Sequence, residues 1–202
     1  MSNRFFIIST IIATLISIII SFTPLDSPQF LKSQSSQSIV LQKNVGSFLP
    51  YVLNIGALGL IVATRDYKGL AQYVVIASSV VGITYVAKKI FQRIRPNGKA
   101  DSFPSGHAAT SFAPTAFIHF RFGAYYALPS YIVGIFVSYS RVASNSHYIS
   151  DIMASLLLSI MVARIIASRY QLLISRSQVS VAGLLTIGGA LVLYLLRSLF
   201  AA

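Results

Sequence analysis

The chain has 202 residues, 55% of them hydrophobic and 10% charged, with a mean hydropathy of +0.73; soluble domains carry roughly 25% charged residues, so the composition excludes an ordinary soluble protein and predicts an integral membrane one. The 16 Lys and Arg outnumber four Asp, for a net charge of +12, but these cations are scattered over loops and helix ends, which argues against nucleic acid and for anionic headgroups and a phosphorylated substrate. No Cys is present, which removes disulfides, thiolate metal sites and a Cys nucleophile.

In chain order, apolar stretches fall near residues 5–23, 47–64, 70–87, 105–120, 125–141, 150–168 and 179–198. Several approach the ~20 residues that a spanning helix needs. The expected fold is all-α: a polytopic membrane bundle of six or seven helices forming one domain over residues 1–202. The 5–23 stretch follows Arg4 and runs into Ser21-Phe22-Thr23-Pro24 without a small-x-small cleavage site, so an uncleaved helix is expected. Residues 24–46, rich in Ser and Gln with two Pro, predict an extramembrane loop with a short interfacial helix at its end. Gly56, Gly59, Gly188 and Gly189 are expected at helix-packing positions. Pro114 and Pro129 are expected to kink or end their helices.

Three polar clusters interrupt this pattern: Lys88 to Pro96 (KKIFQRIRP), Phe103 to His107 (FPSGH) and Ser140 to Asp151 (SRVASNSHYISD). With the N-terminus inside, all three gather on the outer face. Arg4, Arg65, Lys68, Arg121, Arg164, Arg169 and Arg176 then lie inside, against Lys32, Lys43, Lys89, Arg93, Lys99 and Arg197 outside, a small bias in the sense of the positive-inside rule.

Lys88 and Arg95 are seven residues apart, near two helical turns, so both can project from one face of a helix that Pro96 then ends. Such a pair suits a phosphate dianion, the Arg through two parallel hydrogen bonds; equally, the run can anchor the protein to anionic lipid. Pro104-Ser105-Gly106-His107 opens the next apolar stretch. A helix N-terminus with a Ser hydroxyl and a close-approach Gly is a ready anion site, with His107 placed to protonate a departing alkoxide. The alternative is a simple cap beside a surface His. His147 and Asp151 are four apart and meet if a helix begins near Tyr148. The carboxylate then holds Nδ1–H and leaves Nε2 free as a nucleophile, with Arg141 a further phosphate clamp. His119 falls at the opposite end of its stretch and is expected to play no catalytic part; Asn145 and Tyr148 are expected to serve loop packing. Two-metal phosphatases need several carboxylates or His, whereas the outer face offers Asp26, Asp101, Asp151 and two His. Metal-independent chemistry without a cofactor is expected.

These clusters resemble the signature of the type 2 phosphatidic acid phosphatase superfamily: Lys, six residues, Arg-Pro; Pro-Ser-Gly-His; then Ser-Arg, five residues, His, three residues, Asp. All eleven positions match, at Lys88, Arg95, Pro96, Pro104, Ser105, Gly106, His107, Ser140, Arg141, His147 and Asp151. The resemblance implies a six-helix phosphatase core, to which the 179–198 stretch adds a C-terminal helix. It also implies a phosphohistidine mechanism. His147 attacks, Asp151 orients it, and His107 protonates the leaving group and then activates water. Lys88, Arg95, Ser105, the Gly106 N–H and Arg141 hold the phosphoryl oxygens. The expected activity is hydrolysis of a lipid phosphomonoester or terminal pyrophosphate of the phosphatidate, phosphatidylglycerol phosphate, undecaprenyl pyrophosphate or lipid A type, at the outer face of a bacterial inner membrane. Phosphoryl transfer to another lipid through the same intermediate, and a silent lipid-binding or transport protein on the same fold, are the alternatives. Neither the substrate nor an oligomeric state follows from these residues.

Overall fold

The computed structural model describes residues 36–168. The helices expected over 5–23 and 179–198, and Gly188 and Gly189, lie outside them. Five helices follow in order: α1 (Ser36–Ala63), α2 (Tyr67–Phe91), α3 (Gly106–Arg121), α4 (Ala124–Ala143) and α5 (Ile149–Ile166). Short connections at 64–66, 122–123 and 144–148 make chain neighbours antiparallel; only residues 92–105 form a longer link. The chain expected as a loop up to residue 46 is helical from Ser36 and continuous with α1, in place of a separate interfacial helix.

This is an integral membrane protein, and its surface shows why. Within α1, α2 and α5, the spans Gln37–Ala63, Tyr67–Phe91 and Ile149–Ile166 are long and apolar enough to cross a bilayer. Large apolar side chains lie on the outside of the bundle, among them Ile55, Val62, Ile90, Ile132 and Ile135. The interior instead holds Ser102, Ser105, Ser111, Thr115, Ser140, Asp151, Ser155 and Ser159 with no exposed surface. Lipid supplies no hydrophobic drive between helices, so close packing of small residues and internal hydrogen bonds hold the bundle together.

The central helix, α3, packs against the other four. Its sequence GHAATSFAPTAFIHFR presents Ala108, Ala109, Ala113 and Ala116 to its neighbours, and Phe117 meets Ile76 and Val80 in the fully buried core. Close approach depends on Gly134 of α4, where a Cβ would come within 2.8 Å of the Phe112 ring. Gly56 and Gly59, expected to pack helices, meet no described atom within 4 Å of a Cβ and so carry no such contact among the described residues; the positions where a Cβ would strike another helix are Gly134 and Gly46. Pro114 and Pro129 lie inside α3 and α4, which continue through them. Pro114 cannot donate to the Thr110 carbonyl, and Asn54 of α1 does so instead at 3.0 Å, while accepting the Tyr73 hydroxyl at 2.5 Å. Three helices are thereby tied at one half-buried amide.

The end of the bundle away from the polar clusters is fastened by ions. Asp66 caps α2 by accepting from Gly69 N–H and takes a bidentate pair from Arg121, at 2.7 and 2.5 Å, with both side chains at most 4% exposed. Arg121 also donates to the Ser168 carbonyl and hydroxyl beyond α5. Burial, the largest single influence, would raise the Asp66 carboxyl, but the Arg121 hydrogen bonds, the Gly69 N–H and the charges of Arg121 and Lys68 together outweigh it and hold it below the usual carboxylate value. With the folded pKa depressed, the pair's contribution is complete above the unfolded value of 3.8 and is lost only as pH falls through the lower folded one. Arg121→Ala, which strands Asp66 in the interior, is expected to cost about 3–5 kcal/mol, read as a lowered thermal midpoint in detergent.

Candidate active site

The other end of the bundle collects the C-termini of α2 and α4 and the N-termini of α3 and α5. All eight candidate residues lie there. Arg141, His147, Arg95 and Lys88 are the charged groups around His107, and Lys88 and Arg95 act on His147 as well.

Asp151 is the centre of the arrangement. It stands at the third position of α5, after Tyr148 as N-cap, where a carboxylate is favoured by the unpaired N–H groups and the helix dipole. Oδ2 accepts from Ser102 Oγ at 2.5 Å, from Tyr148 N–H at 2.9 Å and from His147 Nδ1 at 3.3 Å; Oδ1 accepts from Arg93 Nη1 at 2.9 Å. With no exposed surface, the carboxylate has exchanged water for these donors. His147, 3% exposed, sits in the turn before α5, its backbone N–H on the Arg141 carbonyl at 3.3 Å. Its ring is held through Nδ1, which leaves Nε2 for chemistry.

The α3 N-terminus lies alongside. Ser105 is its N-cap, accepting from Ala108 N–H at 3.4 Å, and its own N–H donates to the Asp151 carbonyl at 3.2 Å. Ser155 Oγ, one turn along α5, donates to the carbonyls of Ser105 and Asp151 at 2.9 and 2.8 Å. Two helix N-termini are thus welded together, and the anion-favouring ends of both point at one spot. A Cβ on Gly106 would face Lys88 Cε at 4.0 Å, so the absence of a side chain opens the path between the α3 N-terminus and the Lys88 chain.

The cations reach this spot by different routes. Lys88, in the last turn of α2, donates to the carbonyls of Asp101 and Ser102 at 2.6 and 3.4 Å. Arg95 is not on the same helix face, as the seven-residue spacing suggested, because α2 ends at Phe91: Gln92 takes a left-handed conformation (φ 44°) and turns the chain. From the loop, Arg95 gives a single 3.4 Å bond to the Asp101 carbonyl, and its Nε is buried without a partner. A desolvated donor on a cation is costly, and a bound anion would relieve that cost. Arg141 is held by Ser140 Oγ and Ser47 Oγ, both at 3.1 Å, and by the Lys43 carbonyl. A Cβ on Gly46 would strike Ser140 Oγ at 2.0 Å, so this glycine lets α1 lie against the Arg141 side chain.

Arg93 was grouped in the sequence with the outer-face cations of no assigned role, yet it pairs with Asp151, donates to Ser150 Oγ at 2.9 Å and stacks 4.0 Å from the Tyr148 ring. Ser102 was likewise missed. Tyr148, expected to pack the loop, supplies a backbone donor to Asp151. His119, as expected, is at the far end, bonded to the Tyr131 hydroxyl at 3.0 Å. Among the described residues no three His, Cys, Asp or Glu side chains gather as metal ligands.

Burial is the largest influence on His147 and holds its imidazole below the usual value of 6.5, with the Asp151 hydrogen bond pulling the other way. The neutral ring is the form able to attack, so the acid limb of kcat/KM is expected below pH 6.5, after allowance for the substrate phosphate's own ionisation near pH ~6. A pH–rate profile checks this; a limb well above 6.5 would contradict it.

Residues 97–174 match the model of the PAP2 superfamily, a span that holds the second and third clusters but not Lys88 to Pro96. A lipid A 1-phosphatase of Porphyromonas gingivalis is 35% identical over 88 residues, 42% of this chain and 20% of that protein. A lipid A 4'-phosphatase of Helicobacter pylori is 28% identical over 155 residues, covering 70% of this chain and 77% of that one. The chain therefore spans about a fifth of the first relative and about three quarters of the second. In fold it is similar to the crystal structure of a transmembrane PAP2 type phosphatidylglycerolphosphate phosphatase from Bacillus subtilis, with a TM-score of 0.62, 17% identity, and coverage of 79% of this chain and 93% of that one.

Proposed function

We propose, from the premise that the chain belongs to the PAP2 superfamily, that it is a membrane lipid phosphatase working through a phosphohistidine at His147. The observation that carries this is the arrangement at one bundle end: a buried His147 held through Nδ1 by Asp151, with His107 and the cations of Lys88, Arg95 and Arg141 around it.

In the first step His147 Nε2 forms a bond to phosphorus as the bond to the lipid oxygen breaks, and His107, which takes up a proton as the phosphate dianion binds and offsets the cations around it, gives that oxygen its proton. Asp151 fixes the tautomer and balances the imidazolium. In the second step His107 takes a proton from water, whose oxygen displaces His147 and releases inorganic phosphate. Lys88, Arg95, the remaining N–H groups of Arg141, and the Ser105 hydroxyl and Gly106 N–H at the α3 N-terminus hold the phosphoryl oxygens as charge develops. These cations do the work that metal ions do in other phosphatases, so turnover continues in EDTA.

A lipid A type phosphate is the favoured substrate, since both curated relatives act on lipid A by name. The site is taken to face the outer side of a bacterial inner membrane, the orientation given by the small positive-inside bias counted over the whole sequence. Phosphate release from purified protein in EDTA tests this against lipid A, phosphatidate, phosphatidylglycerol phosphate and undecaprenyl pyrophosphate. Release from lipid A, with the product showing whether the 1 or the 4' position is lost, is expected. Release from another of the four alone would move the substrate, and dependence on added metal would overturn the mechanism.

A further inference from the structure

We infer that Arg93 is a positioning residue that sets Asp151, and through it His147, for attack. Asp151 has two oxygens with unequal duties. Oδ2 serves His147, but the His147 contact at 3.3 Å is the longest of the three it accepts. Oδ1 accepts Arg93, which is anchored independently by Ser150 Oγ and by stacking 4.0 Å from the Tyr148 ring. Ser150 and Tyr148 flank Asp151 on the same first turn of α5, so the guanidinium is clamped to the segment that carries the carboxylate. A planar cation fixed at Oδ1 sets the rotation of the carboxylate plane, and that rotation decides whether Oδ2 faces Nδ1. Ser102 completes the restraint from the loop side.

The same pair sets the strength of the carboxylate. A buried carboxylate with only His147 as partner would attract the imidazole proton strongly. With Arg93 at Oδ1 its charge is shared, so His147 stays neutral and nucleophilic at a lower pH. The other titratable groups facing His147 are Lys88 from α2, Arg95 from the loop after it and His107 from α3, with the Arg141 charge from α4 facing His107 beside it; Arg93 differs from the Lys88 and Arg95 cations in acting through Asp151. The guanidinium is 15% exposed and committed to Asp151, Ser150 and Tyr148, so it is a support of the nucleophile and not a phosphate ligand.

The inference rests on His147 as nucleophile, and the test keeps the two apart. Arg93→Gln, Arg93→Lys, Ser102→Ala and His147→Ala proteins are compared on the lipid substrate in detergent. Arg93→Gln is expected to lose about 10- to 100-fold in kcat, the range seen when a partner behind a ligating or catalytic group is removed, with KM held within about threefold. Its acid limb should move to higher pH as Asp151 regains its full pull on His147. Arg93→Lys should recover most of the loss, because a cation returns to Oδ1. If Arg93→Gln does not fold, Ser102→Ala carries the same expectation of lower kcat at unchanged KM. Full kcat in both folded variants beside a dead His147→Ala would overturn the inference and leave the phosphohistidine standing. A raised KM with kcat retained would overturn it too, by making Arg93 a phosphate ligand. Activity in His147→Ala would instead remove the mechanism on which the inference rests.

Discussion

His147→Ala is expected to abolish turnover, by at least about 10⁴-fold in kcat, the scale on which a covalent nucleophile is lost. The methyl group has no nitrogen to take the phosphoryl group, and no other group in the cluster replaces it. His107 is half-buried beside the site and surrounded by cations, and it lacks the carboxylate that holds His147. The protein should still fold, since His147 lies in a short turn fixed by backbone bonds of His147 and Ser146 N–H to the Arg141 carbonyl at 3.3 and 2.9 Å. Substrate should still bind, because Lys88, Arg95 and Arg141 remain. The checks are single-turnover phosphate release, an equilibrium binding measurement and a thermal midpoint on the same preparation. Retained turnover would place the nucleophile elsewhere.

Asp151→Asn should be nearly as severe, about 10³- to 10⁴-fold in kcat by analogy with the orienting carboxylate of a catalytic triad. Four donors converge on this side chain: Arg93 on one oxygen, and Ser102, Tyr148 N–H and His147 on the other. An amide of the same shape has one acceptor and one donor group. If its NH₂ faces Arg93, a cation loses its counter-ion and meets a donor; if it faces His147, Nδ1 must become the acceptor and the proton moves to Nε2, which can no longer attack. Either way a buried group is left unpaired, so stability should also fall, by about 1–3 kcal/mol. Kinetics and a detergent melt on one sample separate the two effects. Serine at 151 would add little information, since it removes both oxygens at once.

The residues gathered at the candidate site were legible in the sequence because their chemistry and spacing are unusual inside an oily chain: His147 and Asp151 four apart, and a Ser-Gly-His at the mouth of a helix. Their supports were hidden by backbone geometry. Reading the helix through to Arg95 left Arg93 as one more outer-side cation, whereas the left-handed Gln92 ends α2 and folds the loop back so that Arg93 reaches α5. A non-glycine residue at positive φ is not foreseeable from its type, and Gln is an unusual choice for it. The Arg-x-Arg-Pro pattern was the one available hint that both arginines have work to do. Ser102 was lost among many serines, and its 2.5 Å bond to Asp151 depends on how the 92–105 link closes over the site. Which glycines sit at close contacts among the described residues was hidden for a similar reason. Gly56 and Gly59 have helical spacing, but Gly46 and Gly134 are the ones opposite Ser140 and Phe112, which only the helix crossings decide. The membrane character, by contrast, followed from composition alone, because apolar side chains on the outside and serines within are what a bilayer demands.

A covalent intermediate on His147 predicts two displacements at phosphorus, each with inversion, so the stereochemical course with a lipid phosphorothioate made chiral by oxygen isotopes and hydrolysed in water of the third isotope, read from the thiophosphate released, should be overall retention. Inversion would mean that water attacks the lipid phosphate directly, with His147 at most a base, and would contradict the account.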